Sequence, residues 1–225
     1  MKRLFLLILK LALACIALSI LWVFAYRYIP VRLTPLMIKR AYEYKDDSEF
    51  HTTQKWVPLE KISPEMWCAV IASEDNRFMD HNGFDIEELK KMYKAHLEDG
   101  KDLRGCSTIS QQTAKNCFTF CSETWFRKGV EAYYTFLIEK IWGKRRIMEV
   151  YLNIAEMGKG IYGVQAASEH YYHVSALNLK RQEAIRLAVI LPSPLKRNPL
   201  RNTEYMQGRI KALTDLETKL KYPEW

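Results

Sequence analysis

Residues 72–85, ASEDNRFMDHNGFD, separate two predicted helices. Ser63 followed by a proline is a typical start for the first helix. Asp85 with a glutamate three residues later is typical of a capping box at the start of the second, which Gly100 is expected to end. Adjacent acids, an arginine, a histidine and a glycine at such a junction indicate a helix end that opens onto a cleft. The alternative is an ordinary helix terminus with solvated charges and a turn glycine.

Outward from this stretch, helical patterns recur and strand signals are sparse. Ser107 and Ser122 are placed to cap the next two helices, and the second of these is expected to end near Gly143. Three more helices are expected at residues 145–152, 183–191 and 202–220. The sequence therefore predicts a mainly α fold.

The N-terminus carries an apolar run at residues 4–26, LFLLILKLALACIALSILWVFAY, which is long enough to cross a bilayer as one helix. Lys10, its one charge, lies near enough to the start to snorkel towards the interface. A cleavable signal peptide would have a shorter apolar core ending at small residues, and a lipoprotein-like site would end the run at Cys15. Because the run continues through Phe24, an uncleaved anchor is favoured. Positive charges lie on both sides of the run, so charge does not set its orientation.

The 225 residues divide into three predicted parts. Residues 1–30 form the anchor, residues 31–55 a linker with a short helix, and residues 56–225 one compact domain. The formal net charge of +8 suggests an anionic partner, which can be nucleic acid, a membrane surface or a phosphorylated substrate. Nucleic acid is disfavoured, because the basic residues are scattered and the chain begins with an anchor.

The five cysteines do not form a recognisable framework, since their number is odd and their spacing irregular. No finger-like pairing of cysteine and histidine suggests zinc. Free, mostly buried thiols are favoured, and a disulfide among Cys106, Cys117 and Cys121 is the alternative.

Two further segments carry candidate site residues. Residues 104–116, RGCSTISQQTAKN, place a glycine turn before a Ser/Thr-capped helix whose free N–H groups can bind anions. Residues 127–131, RKGVE, place Arg127 and Glu131 on one helical face. The alternatives are a capped surface helix and an exposed ion pair. Residues 144–153 and 186–194 are mainly architectural by their apolar stripes.

Taken in order, these five segments resemble the five signature motifs of the peptidoglycan glycosyltransferases, glycosyltransferase family 51. The resemblance runs from about residue 56 to about residue 199 and is nearest to the monofunctional, membrane-anchored biosynthetic form, so no transpeptidase domain is expected. It implies a lysozyme-like helical head lobe and a small, membrane-facing jaw lobe at roughly residues 86–103.

The resemblance implies that the chain polymerises lipid II by joining the polyprenyl-diphosphate-linked glycan to the 4-hydroxyl of the next N-acetylglucosamine, with inversion. Glu74 matches the general base. Glu131 matches a second catalytic glutamate that stabilises the diphosphate, directly or as ligand of a divalent cation (Mg²⁺ or Mn²⁺); no other cofactor is implied. The remaining matched positions are implied to bind substrate: Asp75, Ser107, Thr108, Gln111, Gln112, Lys115, Asn116, Arg127 and Lys128.

The implied partners are lipid II, the growing glycan strand, the membrane, and cell-division or elongation proteins. The implied location is the bacterial cytoplasmic membrane, with the catalytic domain on the periplasmic side. Two positions depart from the family pattern: Cys106 replaces a glycine, and Glu123 replaces an arginine expected near the diphosphate, which predicts weaker activity. A glycan-cleaving enzyme and a non-catalytic membrane scaffold are the alternative functions.

Overall fold

The computed structural model describes residues 1–100, 107–120 and 124–225, and these residues are mainly helical. The helices are α1 Lys2–Tyr28, α2 Pro35–Glu43, α3 Pro64–Glu74, α4 Ile86–Asp99, α5 Ile109–Phe118, α6 Trp125–Ile141, α7 Gly143–Ile154, α8 Val164–Tyr172, α9 Arg181–Ile190 and α10 Glu204–Glu217. The strands are β1 Thr53–Gln54, β2 Glu156–Gly158 and β3 Ile161–Tyr162, with 3₁₀ turns at Leu59–Lys61 and Ala176–Asn178. The mainly α prediction is therefore confirmed.

Among the described residues, one hydrophobic core joins α3 and the helices from α5 to α10, and Val23 of α1 belongs to it. Helix α3 packs along α9, and α5 packs between α6 and α7. The small sheet has the order β1-β3-β2, with β1 parallel and β2 antiparallel to β3, and Thr53 pairs with Ile161. This packing brings the C-terminal end of α3 against the start of α5.

The predicted helix ends are confirmed at α4. The Asp85 carboxylate accepts from the Glu88 N–H at 2.9 Å, and Gly100 ends the helix in the left-handed region at φ 64°, where glycine has no Cβ to clash.

The predicted cap of α5 is displaced by one residue. Thr108 rather than Ser107 caps the helix, because Gln111 then lies three residues on and completes a capping box with the Thr108 backbone. At α6 the cap is Thr124; Ser122 lies outside the described residues. Ser63 precedes α3 as predicted, but its hydroxyl donates to the Leu179 carbonyl at 3.0 Å instead of capping the helix.

Helix α1 is long and apolar enough to cross a membrane. Its most apolar stretch of 18 residues has a mean hydropathy of 2.8. Its C-terminal part contacts the helical domain. The Val23 carbonyl accepts from the Trp142 indole N–H at 2.7 Å, and Trp22 meets Phe118 edge-on at 5.3 Å between ring centroids. Helix α1 is thus packed directly against the end of α5.

The segment predicted as a linker, residues 31–55, holds α2 and β1 and is fixed to the rest of the chain. Thr34 caps α2 by accepting from the Met37 N–H at 3.2 Å, Met37 is buried, and β1 pairs with β3. The domain boundaries assigned from sequence remain predictions.

Candidate active site

Glu74 is the last residue of α3, and its side chain is partly buried where α3 ends against α5. One carboxylate oxygen accepts from the Gln112 amide at 3.0 Å, and the other accepts from the Ser73 hydroxyl at 3.2 Å. Burial raises the pKa of Glu74, although the donors Gln112 and Ser73 and the positive charge of Arg209 act in the opposite direction. A carboxylate with a raised pKa is a stronger proton acceptor when ionised.

The orientation of Gln112 is set from the other side by Tyr151 on α7. The Tyr151 hydroxyl donates to the Gln112 amide oxygen at 3.2 Å, so the amide nitrogen faces Glu74. Tyr151 is 1% exposed. A buried phenol, an amide and a carboxylate therefore form a chain of hydrogen bonds across three helices.

Asp75, next to Glu74, holds the start of α5. Its carboxylate accepts from the Ile109 N–H at 3.0 Å and from the His81 Nε2 at 2.9 Å. The His81 Nδ1 accepts from the Gly83 N–H at 3.1 Å. Gly83 has φ +90°, and a Cβ there would lie 2.8 Å from the Thr135 methyl group, so the loop requires glycine.

Asp75, His81 and Asp85 each offer a ligand atom within 4.8 Å of the others. However, both ring nitrogens of His81 are engaged in the bonds above, and Asp85 accepts from the Glu88 N–H and from Arg77. The three side chains therefore form a hydrogen-bond network that positions α5 relative to α3.

A cavity of about 360 Å³ lies on one side of the Glu74–Gln112 bond. Four cations contribute to its wall: Lys39, Arg40, Lys115 and Arg127. Within the described residues, Lys115 makes no ion pair. Gln112 and Asn116 complete the α5 side of the wall. The cavity is suited to an anion.

A second cavity, of about 160 Å³, contains Glu74. Ser107, Thr108 and Asp75 also line it. Because Glu74 lines this cavity and its partner Gln112 lines the larger one, the Glu74–Gln112 hydrogen bond links the walls of the two cavities. Glu74 thus lies in an acidic cavity and is bonded directly to a residue of the cationic one.

Glu131 on α6 is 2% exposed and lies between two cations. It pairs with Arg127 at 2.9 Å and with Lys128 through its other oxygen. Both oxygens are thus occupied, and in the described part of the chain Glu131 belongs to no group of three or more side chains that could hold a metal ion. This donor set does not fit a divalent cation at Glu131, and we derive no chemical step through one.

The structure brings most of the predicted site residues to the two cavities, but not all of them. Glu131 and Lys128 line neither cavity, and Gln111 is used in the α5 capping box. Their substrate-binding or catalytic roles remain predictions. Cys106, Cys121 and Glu123 lie outside the described residues, while Cys15, Cys68 and Cys117 are free thiols.

Some residues that line the larger cavity were not predicted from the sequence. Tyr151 lies in the segment interpreted as architectural, and Lys39 and Arg40 lie in the segment interpreted as a linker. The available signal for Tyr151 was its hydroxyl between the apolar neighbours Val150 and Leu152, since a buried tyrosine hydroxyl usually has a partner. No local pattern singled out Lys39 or Arg40.

A partly buried carboxylate bonded to a residue of a cationic cavity indicates an enzyme site suited to an anionic substrate, and the mainly helical domain follows an apolar helix. A family model described as Transglycosylase matches residues 43–217. The chain belongs to this family and is a peptidoglycan glycosyltransferase with a lysozyme-like domain, which confirms the resemblance found in the sequence.

Similar proteins carry a consistent name. The chain is 46% identical over 207 residues to the biosynthetic peptidoglycan transglycosylase of Caulobacter vibrioides, covering 92% of this chain and 88% of that protein. It is 47% identical over 199 residues to the protein of the same name from Bacteroides thetaiotaomicron, covering 88% and 80%. The similarity thus extends over most of both sequences.

Proposed function

We propose that this enzyme polymerises lipid II into the glycan strands of peptidoglycan, with Glu74 as general base. The observation that carries the proposal is the position of Glu74, which is partly buried, lines one cavity, and is hydrogen-bonded to Gln112 in the wall of the cationic cavity. The cationic side suits the diphosphate of the growing, lipid-linked strand, and the Glu74 side suits the sugar of the incoming lipid II.

In the proposed reaction, Glu74 accepts the proton of the acceptor 4-hydroxyl as its oxygen bonds to the anomeric carbon of the donor sugar. The bond from that carbon to the diphosphate oxygen breaks on the opposite face, which inverts the centre. The electron pair leaves with polyprenyl diphosphate, and the proton passes from Glu74 to water. Lys115 and Arg127 stabilise the negative charge that develops on the leaving oxygen.

The charge distribution favours synthesis over cleavage. A glycan-cleaving enzyme must protonate a poor leaving group with an acid, whereas a diphosphate leaves as an anion and needs nearby positive charge. The larger cavity offers cations on α2, α5 and α6, and within the described residues Lys115 is available to an anion.

The test is to supply purified lipid II to the full-length enzyme in detergent or in lipid nanodiscs, with Mg²⁺, with Mn²⁺ and with EDTA. Elongating glycan strands are the expected product. Failure to make polymer while existing strands are degraded would contradict the proposal in favour of cleavage, and binding without either reaction would favour a scaffold. The reaction with EDTA tests whether the enzyme requires a divalent cation. That requirement remains a prediction.

We further propose that α1 spans the cytoplasmic membrane and that the catalytic domain lies on its periplasmic side, where the lipid II sugars are polymerised. Part of the expected jaw is α4; residues 101–103 lie outside the described residues. On α4 an exposed apolar stripe of Ile86, Leu89, Tyr93 and Leu97 is suited to a lipid surface. Division or elongation proteins remain proposed partners.

The α4 stripe is expected to contact lipid. A photoactivatable phospholipid in nanodiscs should crosslink to Leu89 and Tyr93, whereas Lys91, on the opposite helical face, should remain unmodified when peptides are examined by mass spectrometry. Crosslinking that is equal on both faces, or absent from the stripe, would contradict a membrane-facing α4.

Tyr151→Phe is expected to shift the acidic limb of the kcat–pH profile to higher pH. Without the phenol, the Gln112 amide is no longer held with its nitrogen towards Glu74. Losing that donor raises the pKa of Glu74, and the base works only when ionised, so a higher pH is needed for activity. At pH values on the acidic side of this limb, we expect kcat of the variant to be about tenfold lower than that of the parent enzyme, with KM nearly unchanged. A uniform loss at all pH values would instead indicate a packing defect.

A further inference from the structure

Helix α2 forms one wall of the larger cavity, opposite the predicted substrate-binding residues of α5. Leu36, Lys39 and Arg40 all contribute to this wall. These three residues precede the part of the chain matched by the family model, which begins at residue 43. The cavity is thus completed by the segment between the anchor and the matched domain.

The position of α2 is fixed by a partly buried ion pair. Arg40 donates from Nε and Nη2 to the two oxygens of Glu156, at 2.9 and 3.0 Å, and the Glu156 side chain is 7% exposed. Such a two-pronged contact restricts orientation as well as distance. Glu156 lies two residues after the end of α7, the helix that carries Tyr151. The ion pair therefore holds α2 against the end of α7.

The four cations of the cavity differ in their availability. Arg40 pairs with Glu156, and Arg127 shares Glu131 with Lys128, so the charge of each arginine is only partly balanced within the protein. Lys39 has only a surface contact with Glu43 at 3.4 Å, with side chains 41% and 35% exposed; such a pair contributes little. Together with Lys115, Lys39 is therefore a cation that an incoming anion can recruit.

The position of α2 relative to α1 indicates which kind of anion Lys39 would bind. Six residues, 29–34, separate the end of α1 from the start of α2, so α2 must lie close to the membrane surface if α1 spans the bilayer. A polyprenyl diphosphate keeps its tail in the bilayer and places its phosphates at that surface. If α1 spans the bilayer, Lys39 therefore lies near the surface at which these phosphates would enter the cavity.

We propose that Lys39 is a binding residue for the diphosphate of the polyprenyl-linked glycan, and that α2 is a structural part of the donor site. This inference rests on the proposed function. Arg40 acts as a positioning residue through Glu156, while Lys39 contacts the substrate.

The test compares full-length Lys39→Ala, Lys39→Glu and Lys39→Arg with Lys45→Ala, a nearby exposed lysine that does not line the cavity. We expect Lys39→Ala to raise the KM for lipid II about tenfold, with a smaller change in kcat. Lys39→Glu should raise it further, Lys39→Arg should restore it, and Lys45→Ala should match the parent enzyme. Because the contact is partly exposed, the difference should shrink at high salt.

Direct binding of polyprenyl diphosphate to the same proteins in nanodiscs provides a readout that does not depend on turnover. Weaker binding by Lys39→Ala and Lys39→Glu, with Lys39→Arg and Lys45→Ala unaffected, supports the inference. Equal KM and equal binding in all variants would overturn it while leaving polymerisation by the parent enzyme intact. If the parent enzyme makes no polymer, the proposed function fails separately, and the binding comparison still decides the role of Lys39.

Discussion

Glu74→Gln is expected to lower kcat for lipid II polymerisation by about 10²–10⁴-fold, the usual contribution of a positioned general base. Glutamine keeps the size of the side chain but cannot accept the proton of the acceptor hydroxyl. The measurement is strand formation under saturating lipid II. Glu65→Gln, at the other end of α3 and lining neither cavity, is the matched control. An active Glu74→Gln enzyme would assign the base to another group.

The same variant should be more stable than the parent protein at neutral pH. The pKa of Glu74 is raised by burial in the folded state, so the ionised carboxylate disfavours folding above its unfolded pKa of about 4.3. Below that pH the carboxyl is protonated in both states and the difference disappears. Thermal unfolding at pH 7 and pH 3.5 checks this sign. Such a rise in Tm with loss of activity would show that the lost activity does not come from misfolding.

Lys115→Met is expected to lower kcat by about 10²–10³-fold, the range found when one preorganised donor to a developing anion is removed. Lys115 lines the cationic cavity and makes no ion pair in the part of the chain that the structure describes. Within those residues no carboxylate offsets its charge, which can therefore act on the departing diphosphate. Methionine retains the aliphatic stem and removes only the charge.

The control variants for Lys115→Met are Lys115→Arg and Lys211→Met. Arginine should recover much of the rate because it keeps the charge, although its planar head differs in geometry. Lys211 is an exposed residue of α10 outside both cavities, so its replacement should have little effect. If Lys115→Met raised only KM and left kcat intact, Lys115 would bind substrate equally in the ground and transition states.

The fold was predictable where local physical chemistry decides it. The end of α4 at Gly100 follows from the left-handed conformation that glycine tolerates, and the start of that helix follows from the Asp85 carboxylate. The cap of α5 was displaced by one residue because serine and threonine are adjacent there and both can cap. The choice between them depends on which one places Gln111 three residues later.

The candidate site was only partly predictable. Glu74 and Lys115 were identified by their motifs, but the hydrogen bond between Glu74 and Gln112 joins residues 38 apart in sequence. The bond from Tyr151 to Gln112 spans another 39 residues. Helical periodicity places side chains on the faces of their own helix and carries no information about which faces meet.

By itself, the sequence determined the apolar N-terminal helix, the helical class of the domain, and the presence of a carboxylate with cations, since these depend on run length, spacing and side-chain type. Only the tertiary structure places Gln112 between Tyr151 and Glu74 and makes α2 part of the lining of the cationic cavity. Both depend on how distant helices pack, because burial and ion pairing such as Arg40 with Glu156 are properties of the assembled fold and not of any local segment.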